Sequence, residues 1–361
     1  MMMALLVLKT RCKEFYEKNY RIVRSVLKIV ISLILYSIIL YQLPFSKELR
    51  EYGLPLSVIL ALISGFVPDS VIIFFTAVLA DCPRKALIPV PAFAEYEQAL
   101  RATGCEICYY KKREATGFQL EEDFLDLLNE DIDMVFLCSP DNPTGKLIDR
   151  SMLWKILARC ETYGIRMVLD ECFIDFAENA ATASILADTK RWRTLFILRS
   201  LTKMHAIPGI RIGYAVTSDM EFLEKMEQSR QPWSVSIPAQ AAGMASLKER
   251  MRVKRTCDFT NRERIWMENE LDKLGITHYP SDANFILMRS GINLYEKLKK
   301  QKMKSRLVLQ VHDELKILVR DCSNYKGLGE GYYRVCMRQR GDNQKLIDAL
   351  GEILYAGQGE F

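Results

Sequence analysis

The stretch Thr194-Leu195-Phe196-Ile197-Leu198 leads into Ser200-Leu201-Thr202-Lys203, then through Pro208-Gly209-Ile210-Arg211 to Gly213-Tyr214. Its first five residues form the short apolar run of a buried strand. Ser200 to Lys203 therefore stand where a strand ends, as a small-polar turn carrying one lysine. Open α/β sheets bind ligands outside the carboxyl ends of their strands. A lysine placed there can bond covalently to an aldehyde, while hydroxyls and the Arg211 guanidinium hold a phosphate. Pyridoxal phosphate is a cofactor that carries both groups. S-x-x-K also marks penicillin-binding enzymes, but their S-D-N and K-T-G partners are absent from this chain. A lone lysine in a turn is usually only a solvated charge, so the reading depends on the other strand ends.

Outward from this stretch, strands and helices alternate from Arg84 onward. Apolar runs at 86–90, 134–138, 166–169 and 210–216 read as strands, and 95–103, 150–163 and 220–230 read as helices. Residues 239–254 also read as helical, and the charge-dense segment 248–264 suits a long helix joining two domains. Such alternation predicts a mostly parallel α/β sheet in a large domain, with a smaller C-terminal α/β domain. The expected division is an atypical arm at 1–45, a large cofactor-binding domain at 46–247 and a small domain at 248–361.

Three more strand ends carry polar or aromatic chemistry. Ser139-Pro140-Asp141-Asn142-Pro143-Thr144-Gly145 follows the run at 134–138, and Asn142 can hydrogen-bond the 3′ oxygen of a pyridine ring. Asp170 ends the run at 166–169; a carboxylate against the ring nitrogen keeps the ring protonated and makes it an electron sink. Phe93, in Pro91-Ala92-Phe93-Ala94-Glu95-Tyr96, can stack on the ring face. Taken singly, these are an ordinary loop, a helix cap and a core aromatic.

The order Phe93, Asn142, Asp170, Lys203, Arg211 resembles the fold-type-I, class I/II aminotransferase family, over 84 to about 350. The resemblance implies Lys203 as the covalent cofactor lysine and Asp170 on the ring nitrogen. It further implies Asn142 on the 3′ oxygen, and Ser200 with Arg211 on the cofactor phosphate. Phe173 stands where many relatives carry a tyrosine to the same 3′ oxygen, which leaves Asn142 to hold it alone. The run Arg320-Asp321-Cys322-Ser323-Asn324-Tyr325, with the turn 327–331 and Arg334, resembles a decarboxylase branch close to the histidinol-phosphate aminotransferases. That resemblance implies Arg334 on the substrate α-carboxylate, Arg338 as a second anion-binding candidate, and L-threonine O-3-phosphate as substrate on the way to cobalamin. Residue types alone leave decarboxylation and transamination both open, because either follows from which Cα bond is held perpendicular to the ring.

Two segments depart from the family. Where relatives carry a glycine-asparagine-glycine turn for the cofactor phosphate, this chain has Val67-Pro68-Asp69-Ser70, of which Ser70 can still help. Tyr41 matches the tyrosine that in relatives reaches the neighbouring subunit's cofactor phosphate, which implies a homodimer. Residues 29–43 and 52–80 are apolar behind a basic stretch and resemble a membrane anchor, though the first is short for a span of about 20 residues. A frameshifted or degraded family N-terminus is the competing reading. Residues 302–315 interrupt the small domain with Gln310-Val311-His312-Asp313-Glu314, similar to a motif of family A DNA polymerases; with no second carboxylate motif it reads as an inert strand or loop.

Composition suits a soluble globular protein of two domains, or one large domain plus a small one. The 361 residues are 49% hydrophobic and 26% charged, with a net charge of +5, too mild and too dispersed to indicate nucleic acid. Ten cysteines without a disulfide framework fit a reducing cytoplasm, and three histidines argue against a histidine metal centre. Cys105 and Cys108 form a C-x-x-C, but the alternation around them reads as a strand.

Overall fold

A computed structural model describes residues 69–230, 234–294, 297–298 and 319–356. They belong to the compact unit Val67–Phe361, which is distinct from a second unit, Met1–Phe66. Tyr41, the apolar stretch 29–43 and the segment 302–315 lie outside the described residues.

The large sheet is built from β1 (Lys85–Val90), β2 (Glu106–Lys111), β3 (Met134–Cys138), β4 (Arg166–Asp170), β5 (Leu195–Ser200) and β6 (Gly213–Val216). Their order is β2-β1-β3-β4-β5-β6. All neighbours are parallel except β5 and β6. Both faces are covered, as a parallel sheet requires. Met134, Phe136 and Cys138 of β3 enter one core, and Val135 and Leu137 enter the other. The first core holds α1 (Asp69–Asp81), α2 (Ala94–Ala102) and α4 (Met220–Ser229); the second holds α3 (Arg150–Tyr163).

Of the apolar stretch 52–80, residues 52–68 lie outside the described residues, and 69–80 belong to helix α1. The 13 residues described in α1 are too few to cross a bilayer. Phe74, Ala77 and Val78 are fully buried, and the helix lies against β5, β6 and α4. A helix apolar on most sides is one that the core surrounds. No helix among the described residues is long and apolar enough to cross a membrane.

Two boundaries differ from the sequence reading. β6 begins at Gly213 rather than 210, because Pro208–Ile210 forms a 3-10 turn and Arg211 adopts a left-handed conformation, φ 55°. The helix expected at 239–254 is two helices, α5 (Ile237–Lys248) and α6 (Arg250–Lys273), meeting at Glu249 with ψ 48°. No glycine or proline marks that break, so helical periodicity reads straight across it.

The second sheet is antiparallel, with β7 (Thr277–Tyr279), β8 (Phe285–Arg289), β9 (Arg320–Asp321) and β10 (Tyr332–Cys336) in the order β7-β8-β10-β9. Met267 and Leu271 of α6, with Leu346, Ile347 and Leu350 of α7 (Arg340–Ala356), build its own core.

Two contacts fix the turn after β3. Lys112 Nζ lies 2.8 Å from Asp141 Oδ2, with both side chains almost wholly buried. Thr144 Oγ1 donates to the same oxygen at 2.6 Å. A buried ion pair with such extra bonding contributes little net stability, but it strongly disfavours any rearrangement that separates the charges. Gly145, at φ +76°, is pressed against the second sheet: a Cβ there would stand 2.0 Å from Ser281 Oγ. The Asp282 amide donates to the Gly145 carbonyl at 2.7 Å, and the Leu147 amide donates to Asp282 Oδ2 at 3.1 Å. Gly145→Ala should lower stability by about 3 kcal/mol, combining left-handed strain with overpacking. Gly164→Ala, also at positive φ but facing open space, should lower it by only about 1 kcal/mol. Urea unfolding of the two variants checks the difference.

Candidate active site

The carboxyl ends of the parallel strands fall at one level. Cys138 pairs with Asp170, and Asp170 with Leu198. The Ser139 amide donates to the Asp170 carbonyl at 2.9 Å. The turn bearing Asn142, the Asp170 carboxylate and the loop bearing Lys203 therefore leave the sheet side by side. Phe93 follows the end of β1 on the same edge and caps α2.

The lysine loop closes on itself. Ser200 pairs with Gly213 across the antiparallel ladder, and the Leu201 amide donates to the Ile212 carbonyl. Thr202 Oγ1 lies 2.8 Å from Ser200 Oγ and 3.3 Å from Lys203 Nζ. It thus joins the hydroxyl expected on a phosphate to the lysine expected on an aldehyde. Lys203 Nζ also stands 5.8 Å over the Phe173 ring, which packs edge-on against Phe285. Arg211 uses one Nη1 hydrogen bond on the Pro208 carbonyl of its own loop. Ser70 lies in the first turn of α1.

Asp170 is 6% exposed. Its Oδ2 accepts from the Tyr96 hydroxyl at 2.5 Å, and its Oδ1 accepts from the Cys172 amide at 2.9 Å. A carboxylate offers about four lone-pair sites, so two remain for a ring N–H.

Asn142 links the two sheets. Its Oδ1 accepts from Arg334 Nη1 on β10 and from the Tyr325 hydroxyl at 3.3 Å. With both donors on the oxygen, the Asn142 amide has its N–H groups to offer a 3′ oxygen. Arg334 lies over the Phe285 ring at 4.8 Å, and its buried Nε has no hydrogen-bond partner. A buried guanidinium N–H without an acceptor is costly unless a ligand supplies one, and a carboxylate matches its fork. Burial holds the Tyr325 phenol above the usual tyrosine range, with Arg334 pulling the other way, so Tyr325 stays a donor.

Arg338 is placed differently. Its side chain is 70% exposed and its Nε is held by Asp342 at 3.0 Å. Arg320, which the sequence reading did not single out, pairs directly with Arg334 across the β9–β10 ladder. Cross-strand partners project to the same face; the Arg320 side chain is exposed there and its Nη2 donates to Asn324 Oδ1 at 3.3 Å. Tyr325, Thr202 and Tyr96 were also missed as members of the site. Each had a local signal: Thr202 stands between Ser200 and Lys203, Tyr325 ends the run from Arg320, and Tyr96 lies three residues after Phe93.

A cavity of about 320 Å3 is lined by Phe93, Arg101, Tyr109, Asn324, Tyr325 and Lys326, beside this cluster. A larger one, about 570 Å3, opens at the amino ends of the strands, among Arg84, Asp133, Arg166 and Asp219. Its charges pair with one another, as Arg84 with Asp133 and Arg166 with Asp219. It holds none of the groups above. The carboxyl-end cluster fits pyridoxal phosphate: an aromatic face, an acceptor for the ring N–H, an amide donor, a hydroxyl pair and a lysine.

Comparison with known proteins agrees with this geometry. The family described as aminotransferase class I and II matches residues 45–350. Threonine-phosphate decarboxylase of Salmonella typhimurium is 35% identical over 347 residues, covering 86% of this chain and 91% of that protein. The crystal structure of the histidinol-phosphate aminotransferase from Clostridium acetobutylicum superposes with a TM-score of 0.71 at 27% identity, covering 80% of this chain and 82% of that one. That of L-threonine-O-3-phosphate decarboxylase from Porphyromonas gingivalis gives 0.66 at 28% identity, covering 79% and 82%. The chain belongs to the class I and II aminotransferase family of pyridoxal phosphate enzymes.

Proposed function

We propose that this protein decarboxylates L-threonine O-3-phosphate, yielding (R)-1-amino-2-propanol O-2-phosphate and carbon dioxide in cobalamin biosynthesis. The observation that carries this reading is the 35% identity to threonine-phosphate decarboxylase across 91% of that relative. Transamination of a phosphorylated substrate is the second reading, favoured by the higher TM-score to a histidinol-phosphate aminotransferase.

Bound pyridoxal phosphate supplies a protonated ring that accepts the electron pair of the broken Cα bond. The residues of this chain supply everything around that event. Lys203 would hold the cofactor through its aldehyde, and its Nζ would deliver a proton at the substrate Cα. Asp170 holds the ring N–H, Asn142 the 3′ oxygen, and Phe93 the ring face. Ser200 and Arg211 would hold the cofactor phosphate, with Ser70, in the first turn of α1, as a further candidate. Arg334 takes the substrate carboxylate through its unpartnered Nε, and Arg320, one strand over, takes the substrate phosphate. Arg338 contributes only if it leaves Asp342. The arginines orient the scissile bond; they do not touch the electrons that move.

A homodimer with Tyr41 reaching the partner's cofactor phosphate completes the reading. Ile237, Met244 and Leu247 lie on one stripe of α5, and Met251 follows at the start of α6, all 59–82% exposed. An apolar stripe of that extent on a soluble chain marks a contact with another surface, and a second copy supplies one.

Incubation with L-threonine O-3-phosphate should release carbon dioxide without 2-oxoglutarate, and strict dependence on a keto acid would overturn the decarboxylase reading. Lys203→Ala should lose the visible absorbance of the cofactor-bound protein together with activity. Arg334→Gln should lower kcat/KM about a hundred-fold, as when one partner of a buried charge pair is truncated. Arg320→Gln should lower it about ten-fold, the loss expected for one charge-assisted hydrogen bond, and should erase discrimination against L-threonine. Ile237→Asp with Met244→Asp should halve the molecular mass in light scattering at micromolar protein.

A further inference from the structure

Tyr96 is 1% exposed and sits on α2, one helical turn beyond Phe93. Its ring stacks on Phe136 at 5.1 Å and meets Phe93 edge-on at 5.6 Å. Its hydroxyl points at Asp170 Oδ2, 2.5 Å away. The titratable groups facing it are Asp170, Cys138 and Cys172. A buried phenol always needs an acceptor, so the pairing alone is ordinary. What sets it apart is the acceptor: the carboxylate at the end of β4 assigned to the cofactor's ring nitrogen.

We propose that Tyr96 is a positioning residue for the reaction, and that its hydrogen bond to Asp170 keeps the shared proton on the ring nitrogen of the bound cofactor. The proposal rests on the assignment of Asp170 above. In the pair formed by a pyridine nitrogen and a carboxylate, one proton lies between two bases. Desolvation favours the neutral form of both, which moves that proton onto the carboxylate. A hydrogen bond donated to the carboxylate favours its charged form and pushes the proton back to the ring. Asp170 receives two such bonds, from the Cys172 amide and the Tyr96 hydroxyl. The amide is fixed by the backbone, so the hydroxyl is the part that side-chain chemistry can vary. Burial, followed by the Asp170 charge, holds the Tyr96 phenol well above the usual tyrosine range. Tyr96 therefore remains a donor at every pH at which the protein works. The Cys138 thiol, also raised by burial, stays neutral beside it. Two-point retention follows as well: one carboxylate oxygen is tied to α2 and the other to the chain after β4, so the carboxylate plane is set before cofactor arrives.

The experiment uses the holoenzyme reconstituted with pyridoxal phosphate labelled with 15N in the ring. Tyr96→Phe keeps the aromatic stack and removes only the donor. Its ring-nitrogen resonance should move toward neutral pyridine, and kcat should fall about ten-fold with KM unchanged within two-fold, the loss of one charge-assisted hydrogen bond. Replacing Tyr96 with 3-fluorotyrosine, a nearly isosteric and more acidic phenol, should move the resonance the other way, toward pyridinium. This second variant keeps the fold even if Tyr96→Phe does not. A resonance identical to wild type in the 3-fluorotyrosine protein overturns the proposal. Asp170→Asn separates the two levels: a resonance unmoved by it overturns the assignment of Asp170 itself. One moved by Asp170→Asn but by neither Tyr96 variant overturns the role of Tyr96 alone.

Discussion

Five parallel strands, β1 to β5, hydrogen-bond to one another in register, and a parallel pair cannot be joined by a hairpin. Every connection must cross a face of the sheet and return, so every strand leaves the sheet at the same edge. The polar residues that end those strands are thereby gathered without any contact between them having to be stabilising. Asp170 is satisfied at that edge: the Ser139 amide donates to its carbonyl, and the Tyr96 hydroxyl and Cys172 amide donate to its carboxylate.

The second sheet completes what the first begins. Arg334 and Tyr325 both donate to one oxygen of Asn142. The segment after β7 clamps the Asn142 turn through Asp282 and the close approach of Ser281 to Gly145. On the proposed assignment, substrate carboxylate and cofactor oxygen would be handled by neighbouring atoms of one hydrogen-bonded unit. On the other side of the turn, the Lys112–Asp141 pair prevents it from following the second sheet away from the first.

Much of this was legible in the sequence because its determinants are local. A buried strand ending in Asp170, a turn rich in proline and glycine around Asn142, and a lysine three residues after Ser200 are each read within ten residues. The helix at Arg150–Tyr163 and the strand at Met134–Cys138 lie where periodicity puts them. What escaped is what only tertiary contact creates. Tyr325 lies 183 residues from Asn142, and Arg320 becomes a neighbour of Arg334 only through the register of a two-residue strand. Tyr96 stands in plain view beside Phe93, yet its helical position makes it look like a core aromatic. Arg338 shows the converse: the resemblance offers it as an anion-binding candidate, while its Nε is held by Asp342, four residues on along the chain.

Asn142 is followed by Pro143. Asparagine side chains in proteins age by attack of the next residue's backbone nitrogen on the side-chain carbonyl, which closes a ring and expels ammonia. A proline nitrogen carries no hydrogen, so this nucleophile is missing after Asn142. The same proline that shapes the turn thus gives chemical permanence to the amide on which Arg334 and Tyr325 converge. On the proposed assignment, a conversion to aspartate there would place a negative charge against the cofactor's 3′ oxygen, a change that Pro143 blocks.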